Sequence, residues 1–136
     1  AIQGMHTAQA CARLGQLVDS GNADGYTLHN NSFTLGGGWL KPGEQWTSIY
    51  SITLEAGKKY RLLAAGDNNV RNVDLRILNA KGIQVAIDGN HFSSASVDYT
   101  STAGGRYTVQ MRLQAANSTD AVCLSALMEH LGKRKR

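Results

Sequence analysis

Acidic and amide side chains are concentrated between residues 66 and 88, in the stretch GDNNVRNVDLRILNAKGIQVAID. Calcium takes roughly six to eight oxygen ligands, commonly from carboxylates and backbone carbonyls. One hypothesis is therefore a calcium site on the loop 66–74, with Asp67 and Asp74 as ligands. The residues suggest no other cofactor.

The same residue types have an ordinary role in β-proteins. Asn and Asp hydrogen-bond their own backbone and tolerate turn conformations. Asp74 lies between Val73 and Leu75, so the two-residue period of a strand directs its side chain away from the apolar side. The D-x-[DN]-x-[DN]-G pattern of an EF-hand loop is absent. These points favour turn and edge chemistry, with calcium as the alternative.

Two tryptophans could form a different kind of site. Trp39 follows three glycines, and Trp46 begins a run in which Tyr50, Ile52 and Leu54 are predicted to face the same side of a strand. Aromatic rings stack on sugars, so Trp39 and Trp46 give the hypothesis of a carbohydrate-binding surface. The alternative is that both rings anchor a core or a loop, as large aromatic side chains commonly do.

Motifs of common hydrolases are missing from the sequence. It has no G-x-S-x-G elbow and no H-E-x-x-H zinc motif, and its four histidines have no ligand-like spacing. We therefore expect no catalytic residues and a non-enzymatic protein. Because a triad need not be visible in sequence, a pocket that holds His91 beside a carboxylate would instead indicate a hydrolase.

Charge is concentrated at the end of the chain. Residues 133–136 are all basic, and the rest of the chain balances ten basic against ten acidic residues. A neutral body argues against a nucleic-acid partner, since such footprints usually spread over a face. At 136 residues the chain fits one domain, predicted over 1–132, followed by a disordered basic tail at 133–136.

The predicted elements are one helix and about eight short strands. Apolar residues at three- and four-residue steps predict a helix over about 5–20, with Gly21 at its end. After Gly25 the period changes to two, and Gly, Asn and Asp turns separate the strands, as in a β-sandwich. The last segment, 119–131, fits a helix by local signals and also alternates like a strand. No apolar run is long enough to span a bilayer.

Three segments between Trp46 and Leu113 carry a family pattern: ITLEAGKKYRLLAAGD, NVDLRILNAKGIQVAID and VDYTSTAGGRYTVQMRL. In order and spacing they resemble the bacterial pre-peptidase C-terminal domain, a secreted β-sandwich. The resemblance implies a mainly β fold, a jelly-roll-like antiparallel sandwich with a short N-terminal helix. It also implies a final strand that carries a cysteine, which favours a strand at 119–131. A strand there would also protect the edge of the strand before it. The family's modules are mostly non-catalytic.

Export and function follow as expectations. The chain begins at Ala1 without Met, which suits a secreted or periplasmic protein after signal-peptide removal. Cys11 and Cys123, one on each terminal element, are predicted to form a disulfide. The function we expect is that of an exported binding or accessory module, with an unknown protein or polysaccharide as partner. The alternatives are a small secreted hydrolase or regulatory subunit, and a carbohydrate-binding module.

Overall fold

The computed structural model describes residues 2–33, 36–43 and 45–132. The basic tail predicted at 133–136 lies outside the described residues. One α-helix is followed by nine strands in this part of the chain, with a short 3-10 helix, His29–Asn31, between the first two strands. Their bounds are α1 Ile2–Ala23, β1 Tyr26–Leu28, β2 Gly36–Leu40, β3 Thr47–Leu54, β4 Lys59–Gly66, β5 Val70–Leu78, β6 Gln84–Asp88, β7 Ser94–Thr100, β8 Gly105–Ala116 and β9 Ala121–His130.

The strands form two antiparallel sheets. The first has the order β1-β9-β4-β7, with β2 also paired to β9, and α1 packs on its outer side. We call it the helix-covered sheet. The second has the order β3-β8-β5-β6, and we call it the open sheet. Apart from the β5–β6 hairpin, consecutive strands from β2 onward alternate between the sheets, as in a jelly roll. The predicted jelly-roll-like sandwich is confirmed.

Apolar side chains fill two layers. Between the sheets lies a core with Leu62, Leu75, Met111 and Leu127, all at most 1% exposed. A second core lies between α1 and the helix-covered sheet, where the predicted helical stripe is buried. Its members are Ala10, Leu14, Val18, Tyr26, Leu63, Ala65, Val122, Leu124, Ala126 and Met128. Full burial of each large apolar side chain stabilises the fold by about 1.5–3 kcal/mol.

Helix α1 is longer than the predicted range of 5–20. Gly21, expected to end it, lies inside the helix, at a position where the side chain of Met128 occupies the space that a Cβ would need. The chain turns at Gly25 instead, where φ is +93°. No helix in the described part of the chain is both long enough and apolar enough to cross a membrane.

The segment that was ambiguous in sequence is a strand. β9 pairs with β1 and β2 along one edge and with β4 along the other. Its residues 121–128 are all buried, since α1 covers one face and the open sheet covers the other. Burial on both faces gives a strand a near-continuous apolar sequence. This explains why local signals alone indicated a helix.

The predicted disulfide is wrong. Cys11 and Cys123 are free thiols. Cys123 belongs to the core between the sheets, whereas Cys11 packs against the core under α1. Successive side chains of a strand point to opposite faces, so Val122 and Leu124 face the helix and Cys123 faces away from it. The helix-covered sheet therefore separates the two sulfur atoms.

We predict two titratable thiols per denatured, unreduced chain. In the folded protein at pH 8 only the half-buried Cys11 should react with a thiol reagent. Burial raises the pKa of Cys123 to about 12, and the nearby charge of Asp67 adds to the shift. Its thiol therefore stays neutral and unreactive at that pH. Absence of free thiols in the denatured chain would show that Cys11 and Cys123 do form a disulfide.

Close packing of β2 on β9 predicts a position-specific effect of alanine. A Cβ at Gly37 would overlap the carbonyl oxygen of Cys123 and lie 2.8 Å from Leu124 Cα, whereas a Cβ at Gly38 meets nothing within 4 Å. Both glycines have a similar positive φ, +151° and +155°. Gly38→Ala is therefore a matched control for backbone strain.

We expect Gly37→Ala to cost about 1–3 kcal/mol more than Gly38→Ala, because only the first adds a steric overlap. Urea denaturation of the two variants measures the difference. Equal losses would show that β2 does not approach β9 this closely.

Candidate functional site

The outward side of the open sheet carries a cluster of polar side chains around one indole ring. We call it the polar face, and its members are Trp46, Asp74, Arg76, Gln110, Arg112 and Gln114. Strand pairing positions them, since Asp74 lies opposite Arg112 and Arg76 lies opposite Gln110 on β5 and β8. The alternating apolar residues of both strands point into the core between the sheets.

Trp46 is in contact with two guanidinium groups. The Cζ atoms of Arg76 and Arg112 lie 4.2 and 4.1 Å from the centroid of its ring. Each such contact contributes about 0.5–2 kcal/mol, depending on its exposure to solvent. The half-buried ring is therefore held on the sheet by charged partners on two neighbouring strands.

The carboxylate of Asp74 fixes one of these guanidinium groups. Its Oδ2 accepts hydrogen bonds from Nε and Nη2 of Arg112, at 3.0 and 2.7 Å, and from Nε2 of Gln114 at 3.1 Å. The Asp74 side chain is 2% exposed. Its Oδ1 is buried and accepts no hydrogen bond from the described residues. An acceptor of this kind is commonly satisfied by water or by an ion.

Arg76 differs from Arg112 because no carboxylate of the described residues pairs with it. Its Nε donates to Gln110 Oε1 at 2.8 Å, and its Nη1 donates to Gln84 Oε1 at 3.4 Å. Burial, and then the charge of Arg112, lower the pKa of Arg76, but a guanidinium stays protonated in proteins. The polar face therefore carries a positive charge that no acidic side chain in the described part of the chain neutralises.

The sequence pattern misplaced Trp46. It was predicted to share a side with Tyr50, Ile52 and Leu54, yet its ring contacts lie on the outward face. The strand pairing of β3 shifts register between Ser48 and Tyr50, and such a bulge reverses which residues face the core. No residue type in this stretch marks the bulge.

Trp39 lies elsewhere. It is on β2, opposite Val122, and packs edge-to-face against His6 of α1 with 5.5 Å between ring centroids. It therefore faces the helix side of the sandwich, and its side chain is 41% exposed. The two tryptophans do not form one surface, and a ligand on Trp39 stays a prediction.

Asp67 has an arrangement of its own. Its Oδ1 accepts from the backbone N–H of Asn69, and its Oδ2 accepts from that of Val122, both at 2.9 Å. His6 Nδ1 lies 3.0 Å from Oδ2. The fully buried carboxylate thus ties the β4–β5 turn to β9 and α1. This is the turn chemistry that the sequence favoured.

The two candidate calcium ligands, Asp67 and Asp74, have separate sets of partners. One binds backbone amides beside the helix-covered sheet, and the other binds Arg112 on the open sheet. The described residues contain no group of three or more His, Cys, Asp or Glu side chains suited to a metal ion. Calcium binding stays a prediction, and the geometry does not favour one shared site.

Histidine contacts bear on the hydrolase alternative. His91 Nδ1 lies 3.2 Å from the amide nitrogen of Asn72, so its partner is an amide. Two other histidines do meet carboxylates, in the pairs His6–Asp67 and His29–Glu129. The arrangement that would indicate a hydrolase at His91 is therefore not the one observed.

Comparison with known proteins finds no relative in sequence and only weak similarity to solved structures. No family model matches the chain, and no curated protein matches it in sequence. Among solved structures, an apo form of a cyclase from Fischerella sp. is 13% identical, with a TM-score of 0.47, over 79% of this chain and 69% of that chain. A CBM4 structure is 14% identical, with a TM-score of 0.41, over 62% and 70%. PliG of Aeromonas hydrophila, a periplasmic inhibitor of g-type lysozyme, is 11% identical, with a TM-score of 0.39, over 68% and 86%. At these values the similarities carry no argument about function.

We predict that Asp74→Asn destabilises the fold more than Asp98→Asn. The first change leaves Arg112 partly buried without a counter-ion, at a cost of about 2–3 kcal/mol. Asp98 pairs with Arg61 on the other sheet but is 39% exposed, and exposed pairs contribute about 0.2–1 kcal/mol. Urea denaturation measures both variants. A smaller loss at Asp74 would show that this carboxylate does not organise the polar face.

Proposed function

We propose that this protein is a non-enzymatic binding module, exported and of the pre-peptidase C-terminal type, whose polar face binds an acidic polysaccharide. The segment 46–113, which carries the resemblance to that family, spans β3 to β8 and contains the polar face except for Gln114. Export and family membership rest on the sequence pattern. The ligand class rests on the side chains of the open sheet.

The observation that carries the proposal is the group formed by Trp46, Arg76 and Arg112. An indole ring offers apolar area with low conformational entropy. Guanidinium groups next to it donate hydrogen bonds in a planar fork that matches carboxylates. Because Arg76 has no acidic partner among the described residues, a ligand that brings its own carboxylate is favoured over a neutral one.

Amide and hydroxyl groups extend the same surface. Gln110 Nε2 donates to Ser48 Oγ at 3.0 Å while its Oε1 accepts from Arg76. Farther along β3, Ser51 Oγ lies 3.2 Å from Thr108 Oγ1. These groups donate and accept, as the hydroxyls of a sugar chain require.

Affinity gel electrophoresis in polygalacturonate and in neutral dextran tests the proposal. We expect the acidic polymer alone to retard the protein. Arg76→Gln should weaken retardation about tenfold, because a hydrogen bond to a charged group contributes roughly 1.5–3 kcal/mol. Trp46→Ala should also weaken it, with Trp39→Ala as the matched tryptophan control.

Residues 133–136 are basic and are present in every variant. Substitutions on the polar face would therefore leave any binding of the acidic polymer to these residues unchanged. Retardation that survives both Arg76→Gln and Trp46→Ala would place the binding outside the polar face and contradict the proposal. Equal retardation by dextran, or none by either polymer, would contradict the ligand class. Circular dichroism melts confirm that each variant is folded.

A further inference from the structure

A cavity of about 380 Å³ opens at one end of the sandwich, away from the residues of the polar face. It lies between the β5–β6 turn, residues 79–83, and the β7–β8 turn, residues 102–104, and includes flanking residues of the strands. Its volume is within the usual range of small-molecule pockets, roughly 300–1,000 Å³. We call it the end pocket.

Aromatic and aliphatic side chains form its walls. Ile83 and Val85 come from one side, and Tyr99 and Tyr107 come from the other. The two tyrosine rings pack edge-to-face with 5.8 Å between centroids. Ile83 is 56% exposed, although large apolar side chains are usually covered in a folded domain. A ligand with an apolar body would cover it.

Hydrogen bonds hold both turns in place without a ligand. Asn79 Oδ1 accepts from the backbone N–H groups of Lys81 and Ile83, at 2.9 and 3.0 Å. On the other side, the hydroxyls of Ser101 and Tyr107 each donate to Ala103 O at 2.7 Å. A preformed pocket loses little conformational entropy when it binds a ligand.

The charged residues that line the end pocket are both basic. Lys81 and Arg106 line the end pocket, and its described lining residues include no Asp or Glu. Neither cation forms an ion pair within the described part of the chain. A pocket lined by apolar side chains and by two cations without ion-pair partners among the described residues is complementary to an apolar body that carries a negative group.

We propose that the end pocket binds a small organic carboxylate with an aromatic or aliphatic body. The ring or chain lies against Ile83, Val85 and Tyr99, and the carboxylate faces Lys81 and Arg106. This site shares no residue with the polar face. The proposal can therefore be correct or incorrect whether or not the polar face binds a polysaccharide.

Titration of the ¹⁵N-labelled protein with 2-naphthoate, followed by NMR, tests the proposal. The neutral 2-naphthamide is the matched probe, since the two differ in charge and hardly in shape. We expect shifts confined to residues 79–85 and 99–107, and binding of naphthoate roughly fivefold tighter than that of naphthamide at low salt.

Variants distinguish the contribution of charge to probe affinity from the contribution of apolar contact. The double variant Lys81→Gln, Arg106→Gln should reduce naphthoate binding to the level of naphthamide, and Ile83→Ala should weaken both probes. Lys41→Gln, an exposed lysine outside the pocket, and Trp46→Ala should change neither. Equal affinity of the two probes for the wild-type protein, shifts centred elsewhere, or no binding at millimolar concentration would overturn the proposal.

Discussion

The buried carboxylate of Asp74 holds the guanidinium of Arg112, and the polar face is organised around that contact. Three hydrogen bonds converge on one carboxylate oxygen. With Arg112 fixed, its guanidinium group lies against the ring of Trp46. The guanidinium group of Arg76 is within stacking distance of the same ring. A side chain held before the ligand arrives does not have to be ordered on binding. The ion pair thus gives the open sheet a rigid, positively charged surface.

The rest of the fold leaves this surface uncovered. Helix α1 packs on the helix-covered sheet, where Leu63, Val122 and Met128 form a second apolar layer. The outward side of the open sheet has polar residues at the alternate positions of β5 and β8, so it provides no apolar layer for a helix to cover. An antiparallel sheet with one buried and one solvated side is the common result of such alternation.

Much of the fold could be predicted from the period of apolar residues. The sandwich, the helical stripe and the turn role of Asp67 follow from local spacing. The conformation of β9 does not, because its burial on both sides removes the alternation, and the family resemblance was needed to assign it. The prediction of a disulfide was wrong for a related reason. The face to which Cys123 points depends on the register of a strand within the assembled sheets.

Only two members of the candidate site were predictable from the sequence. Trp46 and Asp74 were both singled out, the first for sugars and the second for calcium. Their common partner Arg112 is 38 residues from Asp74 and is brought to it by strand pairing. A bulge in β3 then moves Trp46 to the outward face. Neither the pairing nor the bulge has a local signal.

The most direct test of the central claim is the fluorescence of Trp46 as polygalacturonate is added. In Trp39→Phe the only remaining indole is that of the polar face. We expect a saturable change in its emission that becomes smaller as salt is added, and no such change in Trp46→Phe. A change seen in Trp46→Phe and absent from Trp39→Phe would place the ligand on the helix side of the sandwich and contradict the account.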